Sequence, residues 1–447
     1  MKILKGKIIK GFTREEHSWI LYDSAYSAFA AIMLVGIFPA FFMYVAGGEG
    51  TPGSAWWGFG NSGARLLLAV AAPLIGAIIE YKGYKKRLFV IFLSLGILAH
   101  LFLAAPAHAS WQYLLIWYIV ANIFWSASIF IYDSYLPDIT TPERMDYVSA
   151  AAYGWGYICG STIPFLAGIA LIVFGEHIGI DFVQAVRLSI LITAVWWGAQ
   201  SIPMIRDVTH KHQRPKPDKG LMKESTGNAL STARKIIKNK PLFLFIVAYF
   251  FYIDGVGTVM TMAVVYGAEL GLDQTLMILA IVVTQFVAFP CSILFGKWSK
   301  KTGPVNLILV AIMVYFAICT LGFFMGFGLE QAWFGSDVGT ILFFVLAILV
   351  GTVQGGIQAL SRSCYGRLIP ADQSGEYFGF YEIFTRFSAI LGPALYGVIL
   401  VATGRPSVSI LSTIVLFTVG FILLLINRKN LTFPSEPEPQ EETPSEV

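Results

Sequence analysis

Long apolar runs with almost no charged residues recur along the whole chain, and they constrain the fold more than any other feature. A helix that crosses the hydrocarbon core of a bilayer needs about 20 such residues. Backbone in contact with lipid must satisfy its own hydrogen bonds, which favours helices. We predict an all-α integral membrane protein with twelve transmembrane helices, spans 1 to 12, at residues 19–45, 57–79, 88–107, 111–136, 148–174, 184–204, 242–266, 275–295, 305–327, 338–360, 377–401 and 407–427.

The composition disfavours a soluble enzyme. Charged residues make up 13% of the 447-residue chain, against ~25% in an average soluble domain. The four cysteines form no CxxC pair and no cysteine–histidine ligand spacing, so no disulfide framework, metal site or cofactor is predicted. No phosphate-binding GxxxxGKS/T motif is present, and no nucleic-acid partner is expected.

The positions of lysine and arginine predict the orientation in the membrane. Of the 31 basic residues, 27 fall in every second segment between predicted spans, and the other six loops hold only Arg405. Basic loops stay in the cytoplasm. Both termini are therefore predicted to be cytoplasmic, in a multi-pass protein of the cell membrane. The basic segments are 1–18, 80–87, 137–147, 205–241, 296–304, 361–376 and 428–447.

A polar stretch divides the chain into two sets of six spans. We predict a cytoplasmic N-terminal segment, an N-terminal bundle, a basic cytoplasmic linker, a C-terminal bundle and an acidic, proline-rich cytoplasmic tail, at residues 1–18, 19–204, 205–241, 242–427 and 428–447. Weak matches at offsets of 220 to 233 relate the halves, such as Tyr22-Asp23 with Tyr252-Ile-Asp254. Two pseudo-symmetric six-helix bundles are the plan of a secondary transporter that binds its substrate between them.

The loop after span 2 carries a recognisable spacing. Gly76 permits close helix approach, Glu80 is placed to face the positive N-terminus of another helix, and Gly83 permits a tight turn. A basic run that includes Lys86 and Arg87 follows and anchors the loop in the cytoplasm. This pattern resembles the loop 2–3 signature of the major facilitator superfamily. The resemblance implies that the loop latches the cytoplasmic side shut.

Four further stretches resemble a narrower family. They begin at Trp19, Tyr249, Gln358 and Glu376 and read WILYDSAYSAF, YFFYIDGVGT, QALSRS and EYFGFYE. Together they are similar to the vacuolar-effluxer-like branch, the "unknown major facilitator" family related to fungal vacuolar amino-acid effluxers. That resemblance implies a major facilitator fold and export of amino acids.

Ionisable residues inside predicted spans are the candidate site, because each costs ~2.5–3.5 kcal/mol to insert. Asp254 lies near the middle of span 7. It is predicted either to carry a proton or cation, or contact a substrate amine, or else to be a buried acid satisfied by hydroxyls or a helix-terminal amide. Glu382 and Arg386 are spaced i, i+4 and can pair. Either Arg386 binds a substrate carboxylate while Glu382 holds it or carries a proton, or the two form a structural salt bridge.

The remaining candidates have two interpretations each. Asp23, one turn inside the cytoplasmic end of span 1, is expected to pair with Arg14 or Lys10 or to act in the site, and Tyr22 to line that site or to pack. Arg65 is expected to act in the site or to extend to the outer surface.

Two further sets lie near the cytoplasmic ends of spans 4 and 10. Asp133 is predicted to form a gate salt bridge with Arg362 or Arg367. Gln354 and Gln358 give span 10 a polar stripe that faces the cavity or hydrogen-bonds across helices.

The sequence favours a secondary active transporter that moves a small polar solute by alternating access, an amino acid exported with proton coupling. In that hypothesis Arg386 takes the carboxylate and Asp254 the ammonium group. The expected partners are the solute, a proton or cation and the lipid bilayer, and the expected state is a monomer. Two alternatives stay open: a lipid or lysolipid carrier, and a non-transporting sensor or assembly protein on the same scaffold.

Overall fold

The computed structural model describes residues 11–46, 53–106, 109–215 and 220–431. Within them, twelve helical segments are long and apolar enough to cross a membrane, which confirms the predicted all-α membrane architecture. Residues 1–10, including Lys10, and the acidic tail after residue 431 lie outside the described residues. The spans are Arg14–Ala46, Trp56–Ile79, Tyr84–Ala104, Trp111–Ser134, Met145–Ile178, Phe182–Asp207, Lys240–Glu269, Thr275–Thr302, Pro304–Glu330, Ser336–Leu368, Ala371–Thr403 and Pro406–Asn430.

Several spans are longer than predicted because polar residues cap them beyond the apolar run. Span 1 begins at Arg14, where the Thr13 hydroxyl accepts a hydrogen bond from Glu16 N (3.2 Å) and the Glu16 carboxylate accepts one from Thr13 N (2.8 Å). This capping box satisfies amides of the first turn that would otherwise lack partners. Asp23 therefore lies nine residues after the start of this helix, and its depth in the membrane stays a prediction.

Each set of six spans forms its own apolar core. One cluster of buried side chains joins spans 1 to 6, and two others are formed by spans 7 to 12, one of them with Ile236 of the linker. The bundles meet where span 2 packs on span 11 and where span 5 packs on spans 8 and 10. We call the end of the molecule that carries residues 80–83, the linker and residues 369–373 the linker side, and the opposite end the far side.

Glycines allow backbones to touch where spans cross. A side-chain carbon at Gly76 would overlap the Gly375 carbonyl oxygen, and one at Gly379 would lie 2.6 Å from the carbonyl oxygen of Ala72. Span 5 approaches span 1 in the same way, because a carbon at Gly160 would lie 2.6 Å from Ser27 Cβ. Close backbone contact of this kind stabilises helix packing in membranes, where burial of apolar surface contributes little.

The polar linker contains a helix, Leu221–Lys238, which was not part of the sequence prediction. Its buried face packs against spans 2, 7 and 11 and comprises Ser225, Ala229, Thr232 and Ile236. The helix therefore contacts both bundles at the linker side.

Spans 1 and 5 each contain a π-helical segment, Ala30–Val35 and Gly156–Thr162. The segments contact each other inside the N-terminal bundle. Insertions of this type are rare and frequently occur at functional sites. They leave some carbonyl groups without the usual intrahelical partner, so they mark a place where the helices can adjust.

Candidate functional site

Arg362 is the centre of the contacts between the bundles. It lies in span 10 with its side chain 2% exposed, and its Nη1 is 2.9 Å from Asp133 Oδ1 and 3.2 Å from Asp23 Oδ2. Its Nε donates a hydrogen bond to the Ser149 hydroxyl (3.0 Å). We call Arg362, Asp23 and Asp133 the Arg362 cluster; it joins spans 1, 4 and 10, with Ser149 from span 5.

Aromatic rings surround the same guanidinium. Its carbon lies 4.5 Å from the ring centre of Tyr153, 4.6 Å from Trp19 and 5.6 Å from Tyr132. Tyr132 also donates a hydrogen bond to Asp23 Oδ2 (3.1 Å). A guanidinium stacks on aromatic faces and is less strongly hydrated than an ammonium group. The rings therefore let Arg362 occupy a position that water does not reach.

The Arg362 cluster holds two carboxylates and one cation. Asp23 is 1% exposed and Asp133 16%. With both acids ionised, the cluster carries one net negative charge in a poorly hydrated interior, where a charge without a counter-ion is costly. The cluster can therefore accept one more positive charge, and Asp133 is the more accessible acid.

Of the predicted ion pairs, the one between Asp23 and Arg14 is absent and the one between Asp133 and Arg362 is present. Arg14 binds Asp207 (2.6 Å) and not Asp23. The predicted pair between Asp133 and Arg362 is present, whereas Arg367 pairs with Asp146.

Tyr22 packs within the N-terminal bundle. Its hydroxyl donates to Ser128 Oγ (2.8 Å) and accepts from Trp197 Nε1 (3.3 Å), and the residue is fully buried. These contacts match the packing interpretation of Tyr22.

Asp254 of span 7 is fully buried and contacts span 11. Its Oδ2 accepts a hydrogen bond from Gly392 N (3.0 Å), one residue before Pro393, which disturbs the hydrogen-bond ladder of span 11. Its Oδ1 has no hydrogen-bond partner among the described residues. The amide of Gly392 lies inside span 11 and not at a helix end, so the choice between the two interpretations of Asp254 stays a prediction. The predicted role of Asp254 as an ammonium site gains no support from this placement.

Glu382 and Arg386 form the pair that their spacing predicts. Arg386 Nε lies 2.7 Å from Glu382 Oε1, and the side chains are 16% and 6% exposed respectively. On span 10, Gln358 Nε2 donates to the Tyr157 hydroxyl of the other bundle (3.1 Å) and to the Gln354 carbonyl (3.0 Å). The polar stripe of span 10 therefore bonds across helices. Which of these groups contacts a solute stays a prediction.

The loop after span 2 contacts the start of span 11. The Glu80 carboxylate accepts a hydrogen bond from Gly375 N, at the positive end of that helix, as predicted. Gly83 has φ +85°, which a tight turn requires. Burial raises the pKa of Glu80 to about 7, although Lys85 acts in the opposite direction.

Lys85 and Asp138 are site residues that the sequence analysis missed. Lys85 belongs to the basic run that is predicted to anchor the loop in the cytoplasm, and its side chain is fully buried. It contacts Asp138 Oδ2 (3.0 Å), the Ser134 carbonyl (2.9 Å) and the Ser374 hydroxyl of the other bundle (3.1 Å). Burial opposes ionisation of Asp138, yet Lys85 and backbone amides hold the pKa of Asp138 below its ordinary value. Lys86 is half-buried and Arg87 exposed.

The linker binds Asp138 of the N-terminal bundle and also contacts the C-terminal bundle. Asp138 Oδ1 accepts hydrogen bonds from Lys211 N (3.0 Å) and His212 N (3.2 Å). Arg214 pairs with Glu376 at the start of span 11, and Thr232 of the linker helix binds the same carboxylate. The linker side is therefore closed by four elements, namely the loop after span 2, the segment after span 4 that carries Asp138, the linker and the start of span 11.

Comparison with known proteins identifies the family. Residues 59–430 match the family model described as vacuole effluxer Atg22 like. The chain belongs to this Atg22-like family. An MFS-type transporter of Bacillus subtilis strain 168, YxiO, is 39% identical over 424 residues, covering 93% of this chain and 95% of YxiO. Autophagy-related protein 22 of Coccidioides immitis is 24% identical, covering 91% of this chain and 78% of that protein.

Solved structures agree on the fold. The transporter FucP in its outward conformation has a TM-score of 0.68 and 14% identity, covering 94% of this chain and 99% of FucP. This Atg22-like protein is therefore a multi-pass transporter of the major facilitator superfamily and not an enzyme. Its predicted superfamily and branch are confirmed.

In this Atg22-like transporter, one local signal pointed to the missed acid. Leu136-Pro137-Asp138 matches Ile369-Pro370-Ala-Asp372 in the internal repeat, which marks the loop after span 4 as equivalent to the loop after span 10. No comparable pattern pointed to the aromatic rings around Arg362, because those residues come from different spans.

Proposed function

We propose that this protein exports a small polar solute, an amino acid, in exchange for protons, by alternating access between its two bundles. The observation that carries the proposal is the Arg362 cluster, where one buried cation bridges two carboxylates of the other bundle. Such a contact is sensitive to a single proton, and it lies where the bundles must separate if the linker side is to open.

The charge balance suggests how the proton acts. A proton on Asp133 cancels its attraction to Arg362 and removes the net charge of the cluster. The bundles are then free to separate at the linker side, where water hydrates the carboxylate and the proton leaves. Closure re-forms the ion pair after the solute has bound. Each cycle therefore moves a proton inward and a solute outward.

The proposed orientation in the membrane follows from the basic loops. The linker side carries most lysine and arginine residues, so we place it, with both termini, in the cytoplasm of a monomer in the cell membrane. A structural neighbour described as the fucose:proton symporter FucP shows that this fold accommodates proton coupling.

The experiment is solute flux in liposomes that contain the purified protein. Labelled amino acids are loaded inside or outside, with and without an imposed pH gradient. We expect a pH gradient to accelerate flux of at least one amino acid, and we expect Asp133→Asn to remove that acceleration while solute exchange continues. Equal acceleration in Asp133→Asn would refute the assignment of the proton to this cluster.

A matched control uses an acid outside the cluster. Asp337 is exposed at the far-side start of span 10, so Asp337→Asn should leave the response to pH unchanged. Binding of an amino acid without any flux would instead support a sensor. Flux of lysolipid but of no amino acid would support a lipid carrier.

A further inference from the structure

Spans 2 and 11 run antiparallel and touch at two positions that fix their register. Gly76 meets Gly375, and one turn further toward the far side Ala72 meets Gly379. Span 2 belongs to the N-terminal bundle and span 11 to the C-terminal bundle. The register therefore predicts which residues face each other across the interface at greater distance from the linker side.

Arg65 and Arg386 are opposite each other in this register. Arg65 lies seven residues before Ala72, and Arg386 lies seven residues after Gly379. Seven residues make nearly two helical turns, so each arginine lies on the contact face of its span, about 10 Å beyond the touching backbones. The charge of Arg386 also acts on Arg65, which agrees with their proximity.

Among the described residues, the two arginines have a single carboxylate partner in total. Glu382 pairs with Arg386, whereas Arg65 has no hydrogen bond or ion pair with any residue that the structure describes. Arg65 is half-buried, and Arg386 is 16% exposed. The site therefore carries one net positive charge, partly open to solvent, and it draws one guanidinium from each bundle.

We propose that Arg65 and Arg386 form an anion seat that binds the carboxylate of the transported solute and thereby draws the far halves of the two bundles together. The inference rests on the proposed transport function and names the group of the solute that the site recognises. A guanidinium binds a carboxylate through two parallel hydrogen bonds. One net positive charge matches a monovalent carboxylate better than a divalent phosphate.

The anion seat also explains how a bound solute stabilises the closed far side. Without solute, two like charges face each other across the interface and oppose the approach of spans 2 and 11. A carboxylate between them replaces repulsion by attraction to both bundles. In the export cycle, a solute that binds from the linker side therefore holds the far side closed, and its release to the outside accompanies far-side opening.

The first test measures solute recognition. In the flux assay, Arg65→Gln and Arg386→Gln should each raise the half-saturating concentration of the transported amino acid about 10- to 100-fold, the loss expected for a charge-assisted hydrogen bond. Arg65→Lys, which keeps the charge, should recover part of the affinity. The amide of the same amino acid should compete poorly, as should inorganic phosphate. Strong competition by phosphate alone would assign the seat to a phosphorylated solute and overturn the carboxylate.

The second test does not depend on a solute. Spin labels at Phe59→Cys and Ala394→Cys, both exposed on the far halves of spans 2 and 11, report the distance between the bundles in a background without the four native cysteines. We expect Arg65→Gln to shift the distribution toward shorter distances in the absence of solute, because the repulsion is gone. Arg405→Gln, which changes an exposed far-side arginine, should have no effect.

The two tests separate the seat from the transport function. If no amino acid moves, yet Arg65→Gln shortens the far-side distance, the repelling pair stands and the proposed function fails. If transport is proton-coupled but neither Arg65→Gln nor Arg386→Gln changes half-saturation or distance, the seat is wrong and the function stands.

Discussion

The linker half and the far half of the interface between the bundles are built differently. In the linker half, buried ion pairs and hydrogen bonds cross between the bundles at Arg362, Arg367, Lys85 and Glu80. In the far half, no hydrogen bond or ion pair crosses between the residues that the structure describes. The protein thus supplies the contacts that close one side, and we infer that the solute supplies those that close the other.

The two halves also carry opposite charge. The Arg362 cluster has one acid more than it has cations, whereas Arg65 and Arg386 have one cation more than they have acids. An amino acid carries both charges, so it can lie between the two centres with its ammonium group toward the acidic one. Asp133 and Glu382 are close enough to interact electrostatically.

The largest effect is expected when Arg362, the central cation of the linker half, is removed. Arg362→Gln leaves Asp23 and Asp133 buried without their counter-ion, which costs about 3–5 kcal/mol. We expect a large fall in thermal stability of the purified protein and loss of transport. Arg362→Gln combined with Asp23→Asn and Asp133→Asn should regain most of the stability and none of the coupling. Equal stability of the single and triple variants would contradict this account.

The second test opens the linker half by steric means. Gly379→Val places carbon atoms against the Ala72 carbonyl, 2.6 Å from its Cβ position, and overpacking of this kind costs about 1–3 kcal/mol. We expect spin labels on the linker ends of spans 2 and 11 to move apart and solute to become accessible from that side. Gly63→Val is the matched control, because no atom lies within 4 Å of a Cβ at Gly63.

The sequence predicts the parts of this fold that depend on local pattern. The twelve spans follow from apolar length, and the turn at Gly83 and the contact of Glu80 follow from spacing in one short loop. The Arg362 cluster was only partly predictable. The sequence predicts that span 10 ends at residue 360, because Arg362 interrupts the apolar run. In the structure the helix continues to Leu368. Acids from two other spans neutralise Arg362 and allow that continuation, and such pairing across sequence is not visible in a local window.

The burial of Lys85 also could not be predicted from the local sequence. A run of basic residues is normally solvated, and two of the three follow that rule. Lys85 is buried because Asp138, more than fifty residues later, and Ser134 and Ser374 accept its hydrogen bonds. The contact depends on how three loops meet, which the sequence of one loop does not specify.

Closure of the linker half should also depend on pH through Glu80. Glu80 has a pKa of about 7 in the closed linker half, whereas a carboxyl in water has about 4.3. Because the closed state binds the proton more tightly, the contribution of Glu80 to closure is complete below about pH 4, declines as pH rises toward 7 and is constant above. From pH 6 to pH 8 the closed-to-open ratio should fall about tenfold.

A neighbouring histidine opposes this effect and must be separated from it. His210 Nε2 lies 3.9 Å from Glu80 Oε2, and burial lowers the pKa of His210 to about 4. Lys85, Arg214 and Glu376 are the other charges that act on Glu80. If His210 is hydrated on opening, its contribution to closure grows as pH rises from about 4 to about 6.5 and is constant above. Distance measurements should therefore show closure falling with pH in His210→Gln and rising with pH in Glu80→Gln. The same slope in both variants would exclude Glu80 as the titrating group.

The smallest effect is expected at an ion pair that belongs to neither half of the interface. Arg14 binds Asp207 at 2.6 Å, but its side chain is 71% exposed, and Arg206 contacts the same carboxylate at 2.8 Å. An exposed pair of this kind contributes about 0–1 kcal/mol, and Arg206 keeps Asp207 neutralised when Arg14 is lost. Arg14→Gln should therefore leave thermal stability, flux and pH response nearly unchanged. A loss comparable to that of Arg362→Gln would mean that Asp23 depends on Arg14, as its position in the sequence first suggested, and that the cluster between the bundles is not what neutralises it.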